Sequence, residues 1–403
     1  MAVYMKPKIQ CFDLRTRSSA GIHLAGWMLT EPQTLVEKGW LLAEKGIIRE
    51  IGRGRIPASI PVQDHGPGLL LPAFANAHTH LELSALQGRI SLSRGFRFWV
   101  KELLEKRAAL GEEKLKTGAA QGIRELKNSG CIAVGEISTL GLTKEILADS
   151  GLSAVYFREY LGGISAMPED LSLFPEKGNI IPSLAAHAPH TTSPELLKAL
   201  KEKTRNAGLP FSVHLAESED EMEFLQKARG PWADFLTERG IDFSGWGLPV
   251  KNPLHYADSL GLADDKSIFV HLLHAGAEEF RLLKERGSHV CICPRSSQNL
   301  HGCLPDLPGM LRAGLSPCLG TDSAASAQSL HILDEMAFTA RAFPEISPET
   351  VIAMSTVNGA AALGMSDYSG SLMPGKTAAF SYISIENGLS SNILERIIHE
   401  TSA

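Results

Sequence analysis

The first indication of the fold comes from residues 69–80, which read Leu69-Leu70-Leu71-Pro72-Ala73-Phe74-Ala75-Asn76-Ala77-His78-Thr79-His80. The apolar run Leu69–Ala73 predicts a buried strand, and two histidines follow it closely. Side chains two residues apart in an extended chain point to the same side, so the imidazoles of His78 and His80 converge. Two neutral imidazoles that converge suit a borderline metal such as Zn or Fe. This stretch therefore predicts a strand that delivers a pair of metal ligands.

Seven further apolar runs follow along the chain, separated by amphipathic helical patterns. The runs are Cys131–Val134, Ser153–Phe157, Ile180–Ala186, Phe211–His214, Ser267–His271, Val290–Cys293 and Pro317–Gly320. Eight strand–helix units predict an α/β fold, for which a closed (β/α)8 TIM barrel is the simplest architecture and an open doubly wound sheet the alternative. Polar residues come at or just after the carboxyl ends of the runs: His78, His80, His187, His214, His271 and Asp322. A barrel forms its active site at these ends, so their placement favours the barrel.

The two ends of the chain have a different pattern from the middle. Residues 21–60 show the short alternating segments and glycine turns typical of antiparallel β structure, and residues 370–380 form a similar glycine-bounded segment. Neither end could bury a sheet face alone. We therefore predict one small β-sandwich domain built from residues 1–68 and 366–403, interrupted by the barrel over residues 69–365.

The composition narrows the class of protein. The chain has 403 residues, of which 44% are hydrophobic and 21% charged, so it can bury a large core. Its 39 Lys and Arg against 45 Asp and Glu give a net charge of −6 without long runs of one sign, which disfavours nucleic acid or an anionic membrane as a partner. Six cysteines without a CxxC pair indicate small buried residues in a reducing compartment. Because the first residues lack the pattern of a signal peptide, we predict a cytoplasmic protein.

Two further strand ends complete a candidate metal site. His214 ends one run, with Glu217 three residues on, and Asp322 ends the eighth run. Three histidines and one aspartate at the same end of a barrel could fill a catalytic metal site and leave a position for water. Each residue alone is typical of a capped helix end or a satisfied polar core group. Their joint placement favours a metal site.

Five motifs resemble those of the amidohydrolase superfamily, in particular its branch of nucleoside and aminopurine deaminases and chlorohydrolases. They are Ala75-Asn76-Ala77-His78-Thr79-His80, His214-x-x-Glu217, Val270-His271-x-x-His274, Cys293-Pro294-Arg295-Ser296 and Gly320-Thr321-Asp322-Ser323. They occur in the order of the family. The resemblance spans essentially the whole chain, including the flanking β domain.

The resemblance implies a catalytic metal site with named ligands. It implies one divalent metal ion per chain, Zn or alternatively Fe, because the fourth strand, Ile180–Ala186, has no lysine that could bridge a second ion. The implied metal ligands are His78, His80, His214 and Asp322. Asp322 is also implied as a catalytic residue beside the attacking water, and Glu217 and His271 are implied as the catalytic pair that handles protons.

A different zinc deaminase fold, whose signature is H-x-E with a later P-C-x-x-C, does not match. His80-Leu81-Glu82 satisfies the first half, but Pro317-Cys318 is followed by Leu319-Gly320-Thr321. The sequence also has no Walker A loop, no G-x-S-x-G elbow and no HExxH motif.

Within the branch, the segments around Glu82, Trp99 and His214 most resemble the aminodeoxyfutalosine deaminases of menaquinone biosynthesis. That resemblance implies release of ammonia from a 6-aminopurine nucleoside, 6-amino-6-deoxyfutalosine, which carries a benzoate group on its 5′ side. The candidate substrate-binding residues are His187, Arg158, Arg295 and Glu82. An arginine could hold the carboxylate through paired hydrogen bonds, although an ion pair of Arg158 with Glu82 or Glu159 is an equal alternative.

Other functions stay open at this point. S-adenosylhomocysteine, methylthioadenosine, guanine and a chlorinated triazine are alternative substrates for the same metal site. A catalytically silent scaffold is the alternative outside enzymes, and the intact set of four ligand positions disfavours it. We predict a small-molecule partner and neither nucleic acid nor membrane, and we leave a homodimer open as the oligomeric state.

Overall fold

The computed structural model describes residues 9–57, 59–166, 179–385 and 393–400. The strands before the barrel are β1 (Ile9–Asp13), β2 (Gly21–Leu24), β3 (Trp27–Glu31), β4 (Thr34–Glu37), β5 (Gly39–Glu44), β6 (Ile47–Arg53), β7 (Val62–Asp64) and β8 (Leu69–Pro72). The barrel strands are β9 (Phe74–Thr79), β10 (Cys131–Ser138), β11 (Ser153–Tyr160), β12 (Ile180–Ala186), β13 (Phe211–Leu215), β14 (Ser267–His271), β15 (His289–Ile292) and β16 (Cys318–Leu319). One strand, β17 (Ala379–Ile383), follows the barrel.

The eight barrel strands pair in parallel with their neighbours in chain order, from β9 to β16. A parallel bridge between Thr79 and Asp322 joins the last strand to the first, and the amide of Asp322 donates a hydrogen bond to the carbonyl of His78 at 3.1 Å. The side chains of the eight barrel strands are almost all buried, as expected for a parallel sheet covered by helices. The predicted (β/α)8 barrel is confirmed.

Helices lie between most successive barrel strands along the chain, and further helices follow the last of these strands. They are α1 (Phe96–Leu110), α2 (Glu112–Asn128), α3 (Lys144–Ala148), α4 (Pro194–Asn206), α5 (Glu219–Lys227), α6 (Pro231–Glu238), α7 (Pro253–Ser259), α8 (Ala277–Arg286), α9 (Pro294–His301), α10 (Leu307–Arg312), α11 (Ala324–Ala327), α12 (Ile332–Ala342), α13 (Pro348–Met354), α14 (Val357–Ala362) and α15 (Ile393–Glu400). Short 3-10 turns lie at Leu81–Leu86, Ile164–Ala166 and Ser244–Trp246. Among the described residues, no helix has both the length and the apolar character needed to cross a membrane.

Both ends of the chain contribute to a second, smaller unit of two sheets. One sheet has the order β1-β17-β8-β3-β4 and the other the order β6-β5-β2-β7. Met28, Leu70 and Phe380 of the first sheet share a buried cluster with Leu41 and Ile48 of the second. The predicted β sandwich from both chain ends is confirmed, whereas its limits at residues 1–68 and 366–403 stay a prediction.

One strand assignment from the sequence is wrong. Leu69–Pro72 is β8, which pairs with β17 and β3 of the sandwich, and the first barrel strand is Phe74–Thr79. Both segments are short, apolar and fully buried, so their pattern alone does not show which sheet each joins. As a consequence, His78 lies within the first barrel strand and its side chain is fixed by strand geometry.

The packing of the last helix and the state of the cysteines complete the fold. Helix α15 contributes Ile393, Leu394, Ile397 and Ile398 to the large core cluster of the barrel. All six cysteines are free thiols, and four of them are buried. They have the hydrophobic, unbridged character expected from the sequence.

Candidate active site

Four side chains with metal-binding donors meet at the carboxyl end of the barrel strands. His78 lies in β9 with His80 just beyond it, His214 lies in β13, and Asp322 follows β16. The Nε2 atoms of His78 and His214 are 3.3 Å apart, and His80 Nε2 lies 3.5 Å from Asp322 Oδ1. Ligands at about 2.0–2.2 Å from a tetrahedral ion are about 3.3–3.6 Å from one another. His78, His80 and Asp322 offer donor atoms within 4.8 Å of one another, and so do His78, His214 and His271. The two groups share His78, so their donors suit a divalent ion bound next to this residue.

Burial keeps the imidazoles of His78 and His80 in the neutral form that a metal requires. Burial, together with the neighbouring imidazoles, holds the pKa of His78 well below its usual value, and burial also lowers the pKa of His80. His214 Nδ1 donates to the carbonyl of His187 at 2.7 Å, which leaves its Nε2 lone pair facing the site. The Nδ1 atom of His78 is buried and has no hydrogen-bond partner among the residues that the structure describes.

Asp322 is aimed by two serine hydroxyls and by its own backbone. Ser296 and Ser326 donate to its Oδ2 at 2.5 and 2.8 Å, so Oδ1 is the oxygen that faces the histidines. Its backbone adopts the left-handed conformation, with φ at +56°. Such strain in a residue other than glycine clusters at functional sites, and Ala216, His271 and Leu272 beside this site also have positive φ.

The candidate proton-handling residues lie against one another. Glu217 Oε1 is 3.5 Å from His271 Nε2 and 3.2 Å from His301 Nε2. Burial alone would raise the pKa of Glu217, but the two imidazoles outweigh it and the net pKa is lowered. Burial lowers the pKa of His271 to about 4. Glu217 is thus an ionised carboxylate that can accept a proton.

A second carboxylate holds the loop that carries Glu217. The two carboxylate oxygens of Glu221 accept hydrogen bonds from the amides of Ala216 and Glu217, each at 2.9 Å. Burial raises the pKa of Glu221, and the backbone amides that donate to it oppose this shift because they stabilise the ionised carboxylate. His190 Nδ1 lies 3.7 Å from Glu221 Oε2, and its ring packs on Trp232. Because Glu221 lies on α5 and binds the end of β13, it fixes the direction in which Glu217 points.

Sequence reasoning missed several residues of this site. No sequence pattern indicates His301, because it lies on a helix face without a recognised spacing to Glu217. The sequence predicts Arg158 as a substrate contact, but the residue that lines the cavity is its neighbour Glu159, which is buried and has its Oε1 3.8 Å from His214 Nδ1. Neighbouring strand residues point to opposite faces, so period-two alternation along β11 was the signal that separates the pair. Ser296 belongs to the Cys293-Pro294-Arg295-Ser296 motif, and its hydrogen bond to Asp322 is visible only in the fold.

A cavity open to solvent lies over the candidate metal ligands His80, His214 and Asp322. It has about 950 Å³ of empty space, including its mouth. Of the four candidate substrate-binding residues, His187 is among the residues that line it, and His187 Nδ1 lies 2.6 Å from Thr191 Oγ1. The other three candidates, Arg158, Arg295 and Glu82, are not among the described lining residues.

Those three side chains are engaged in structural hydrogen bonds. The guanidinium of Arg158 donates to the carbonyls of Ser138 and Thr139. Arg295 donates to the carbonyls of Ala327 and Ser329 and forms ion pairs with Asp334 and Glu335 at 3.4 and 3.2 Å.

Glu82 is similarly saturated. It accepts from Ser138 Oγ at 2.5 Å and from the amides of Leu140 and Leu142 at 2.9 and 2.8 Å. It therefore shapes the loop after β10. The ion pair of Arg158 with Glu82 or Glu159, which the sequence left open, is not found among the described contacts.

The barrel and its donor set define a class, that of (β/α)8 hydrolases with a divalent-metal site at the carboxyl face of the strands. The family model of the amidohydrolase family matches residues 69–396. The chain belongs to the amidohydrolase family, and the predicted membership is confirmed. It is accordingly a hydrolase that acts on C–N bonds, as expected from the motifs.

Relatives and solved structures place the chain near nucleoside deaminases. It is 27% identical to a 5-methylthioadenosine/S-adenosylhomocysteine deaminase of Syntrophomonas wolfei over 86% of this chain and 80% of the relative. It is 25% identical to an aminodeoxyfutalosine deaminase of Deinococcus radiodurans over 75% of each chain. The crystal structure of Helicobacter pylori aminofutalosine deaminase with methylthio-coformycin superposes with a TM-score of 0.82 and 25% identity, covering 94% of this chain and 96% of that one.

Proposed function

We propose that this chain is a metal-dependent hydrolytic deaminase of a 6-aminopurine nucleoside. The observation that carries the proposal is the contact of Glu217 with His271 beside the donors His78, His214 and Asp322. The overall reaction adds water at C6 of the purine, breaks the bond to the exocyclic amine, and releases ammonia and a 6-oxopurine.

A divalent metal, when bound by His78, His80, His214 and Asp322, supplies a water of lowered pKa and thereby hydroxide near neutral pH. Zn is the ion we propose, with Fe as the alternative. Asp322 Oδ1 faces the same space and accepts the hydrogen bond of the attacking water.

The protein's own residues manage the protons. Glu217, ionised at rest, takes a proton from the attacking water and passes it to the purine ring nitrogen. It then moves the proton of the new O–H at C6 to the amine, which leaves as ammonia when the C6–N bond breaks. His271, kept neutral by its burial, orients the attacking oxygen. The Glu221 carboxylate keeps the loop of Glu217 in place while these transfers occur.

We propose 6-amino-6-deoxyfutalosine of menaquinone biosynthesis as the substrate. Two observations support it: the similarity to aminodeoxyfutalosine deaminases of two organisms, and a cavity that is mainly apolar beyond the metal-type donors. The second candidate is 5-methylthioadenosine or S-adenosylhomocysteine, because a deaminase named for these substrates matches with 27% identity over 86% of this chain, against 25% over 75% for the aminodeoxyfutalosine deaminase. Cytoplasmic location and oligomeric state stay predictions.

The test combines metal analysis with an ammonia-release assay on purified protein. The panel contains aminodeoxyfutalosine, 5-methylthioadenosine, S-adenosylhomocysteine, adenosine and guanine. We expect close to one equivalent of a transition metal and the highest kcat/KM on aminodeoxyfutalosine. Active protein without a transition metal would overturn the proposed mechanism, and a higher kcat/KM on 5-methylthioadenosine or S-adenosylhomocysteine would replace the proposed substrate.

A further inference from the structure

One face of helix α1 forms an apolar wall of the cavity and carries a single charge. The lining residues on this helix are Phe96, Trp99, Val100, Leu103, Leu104 and Arg107. Their spacing of i, i+3, i+4, i+7, i+8 and i+11 places them along one side of an α-helix. Five of them are apolar, and the sixth, at the carboxyl-terminal end of the face, is a guanidinium.

The amino-terminal end of this face lies beside the proton-handling residues. The ring centroid of Phe96 is 4.6 Å from that of His301, whose Nε2 contacts Glu217. The indole N–H of Trp99 donates to the carbonyl of Ala325 at 3.4 Å, close to Asp322 in the chain. Arg107 follows Phe96 by eleven residues, which is about 16 Å along a helix axis at a rise of 1.5 Å per residue. The wall thus leads from Glu217 to a distant cation.

Arg107 differs from the other two arginines considered for substrate binding. The side chain of Arg107 is half-buried and makes no hydrogen bond or ion pair with any residue that the structure describes. Arg158 and Arg295, by contrast, have their donors taken by carbonyls and carboxylates. Among the described residues that line the cavity, Arg107 is the single lysine or arginine. Its guanidinium is therefore available to a ligand.

We propose that Arg107 determines substrate specificity by binding a carboxylate at the far end of the nucleoside's 5′ substituent. This inference rests on the proposed function, which places the aminopurine at Glu217. The apolar face of α1 would pack against the middle of the substituent, for which an aromatic or aliphatic spacer is the matching chemistry. A guanidinium offers paired donors to one carboxylate, and a single cation balances its one charge better than the two charges of a phosphate monoester.

The test uses two nucleosides that differ in one group, aminodeoxyfutalosine and its methyl ester. We expect Arg107→Met to lower kcat/KM on the carboxylate roughly 5- to 150-fold, mainly through KM, because the anion loses its charged partner. The methyl ester should be turned over equally by the variant and the wild type. Arg107→Lys should recover part of the loss, since it restores the charge without the paired donors.

Lys101→Met is the matched control, because Lys101 is an exposed cation on the same helix and does not line the cavity. It should leave both substrates unaffected. Thermal melting and metal content show whether each variant is folded and loaded. An equal loss of Arg107→Met on acid and ester, or no loss on either, would overturn the role of Arg107.

The outcome can be separated from that of the proposed function. If the wild type releases ammonia from neither nucleoside, the deaminase proposal fails. Calorimetric binding of the same pair to wild type and to Arg107→Met then decides the role of Arg107. Tighter binding of the acid than of the ester by the wild type, with the difference lost in Arg107→Met, supports the role of Arg107. Equal binding of acid and ester to the wild type overturns it.

Discussion

Glu217 is the residue whose chemistry can be removed with the smallest change of shape. Glu217→Gln keeps the side-chain volume and the contacts to His271 and His301 but cannot carry a proton. We expect the variant to retain its metal and to lose about 10²- to 10⁴-fold in kcat, the range typical of general acid–base catalysis. Ammonia release and elemental analysis measure the two quantities.

The control for this change is Glu219→Gln, which alters the charge of an exposed residue two positions further along. It should retain activity. Near-normal deamination by Glu217→Gln would place the proton transfer on another group.

The buried side chain of Glu221 holds the loop between β13 and α5. The two carboxylate oxygens of Glu221 accept hydrogen bonds from the backbone amides of Ala216 and Glu217. Glu221→Gln replaces one acceptor oxygen with a donor that faces an amide, so one buried N–H loses its partner. We expect a loss of about 1–3 kcal/mol in unfolding free energy and a fall in kcat that exceeds the change in KM. Urea unfolding and steady-state kinetics measure these effects.

Glu223→Gln is the matched control on the same helix, because Glu223 is half-exposed and pairs with Arg229 at the surface. Glu223→Gln should change the free energy of unfolding and kcat much less than Glu221→Gln does. An unaltered kcat in Glu221→Gln would show that the position of Glu217 does not depend on this carboxylate.

The sandwich contains a pair of histidines that makes it sensitive to acid. His23 Nδ1 lies 3.0 Å from His65 Nε2 among aromatic rings, and burial together with His65 lowers the pKa of His23 to about 4. The unfolded value is about 6.5, so unfolding takes up a proton below that pH. The free energy of unfolding should therefore fall between about pH 6.5 and pH 4, with about 2 kcal/mol lost from His23 by pH 5.

Thermal melting of wild type and His23→Gln between pH 8 and pH 5 measures this dependence. The amide keeps a hydrogen-bonding group next to His65 but does not titrate. The variant should lose less of its melting temperature than the wild type as the pH falls. Parallel curves for the two proteins would assign the acid sensitivity to other groups.

Much of the architecture could be predicted because parallel strands of a barrel end at one face. The positions of His78, His214 and Asp322 near the ends of apolar runs therefore predict a shared site from the sequence alone. What could not be predicted depends on packing between distant segments. The sequence gives no sign that the donors of Arg295 are taken by residues 327–335, or that the free guanidinium of the cavity belongs to Arg107.

The assignment of β8 failed for a similar reason. Leu69–Pro72 and Phe74–Thr79 adjoin in sequence and are equally buried, yet they belong to different sheets. Only the pairing partners separate them, and β17, the partner of β8, lies some three hundred residues further along the chain. Local pattern carries no information about such a partner.

The seam between the first and last barrel strands is the place where a metal should matter for the whole molecule. β16 has two residues, and it is linked to β9 through the bridge of Thr79 with Asp322 and through side-chain bonds of Asn76 to Thr321. His78 and His80 stand on one side of this seam and Asp322 on the other. An ion bound by all three therefore ties the two ends of the barrel together.

We expect removal of the metal by a chelator to lower the melting temperature and to speed amide exchange most at residues 76–80 and 318–323. At a free metal concentration of 1,000 times Kd, a bound ion stabilises the folded state by about 4 kcal/mol, a contribution that chelation removes. Hydrogen exchange at β11 and β12 is the internal control. These strands share seven paired residues and lie far from the seam, since β9 and β16 are at the two ends of the strand order. Asp322→Ala should reproduce the pattern without a chelator, and re-addition of Zn should reverse it in the wild type alone. Uniform exchange across all eight strands after chelation would show that the ion does not close the barrel, even where it remains necessary for turnover.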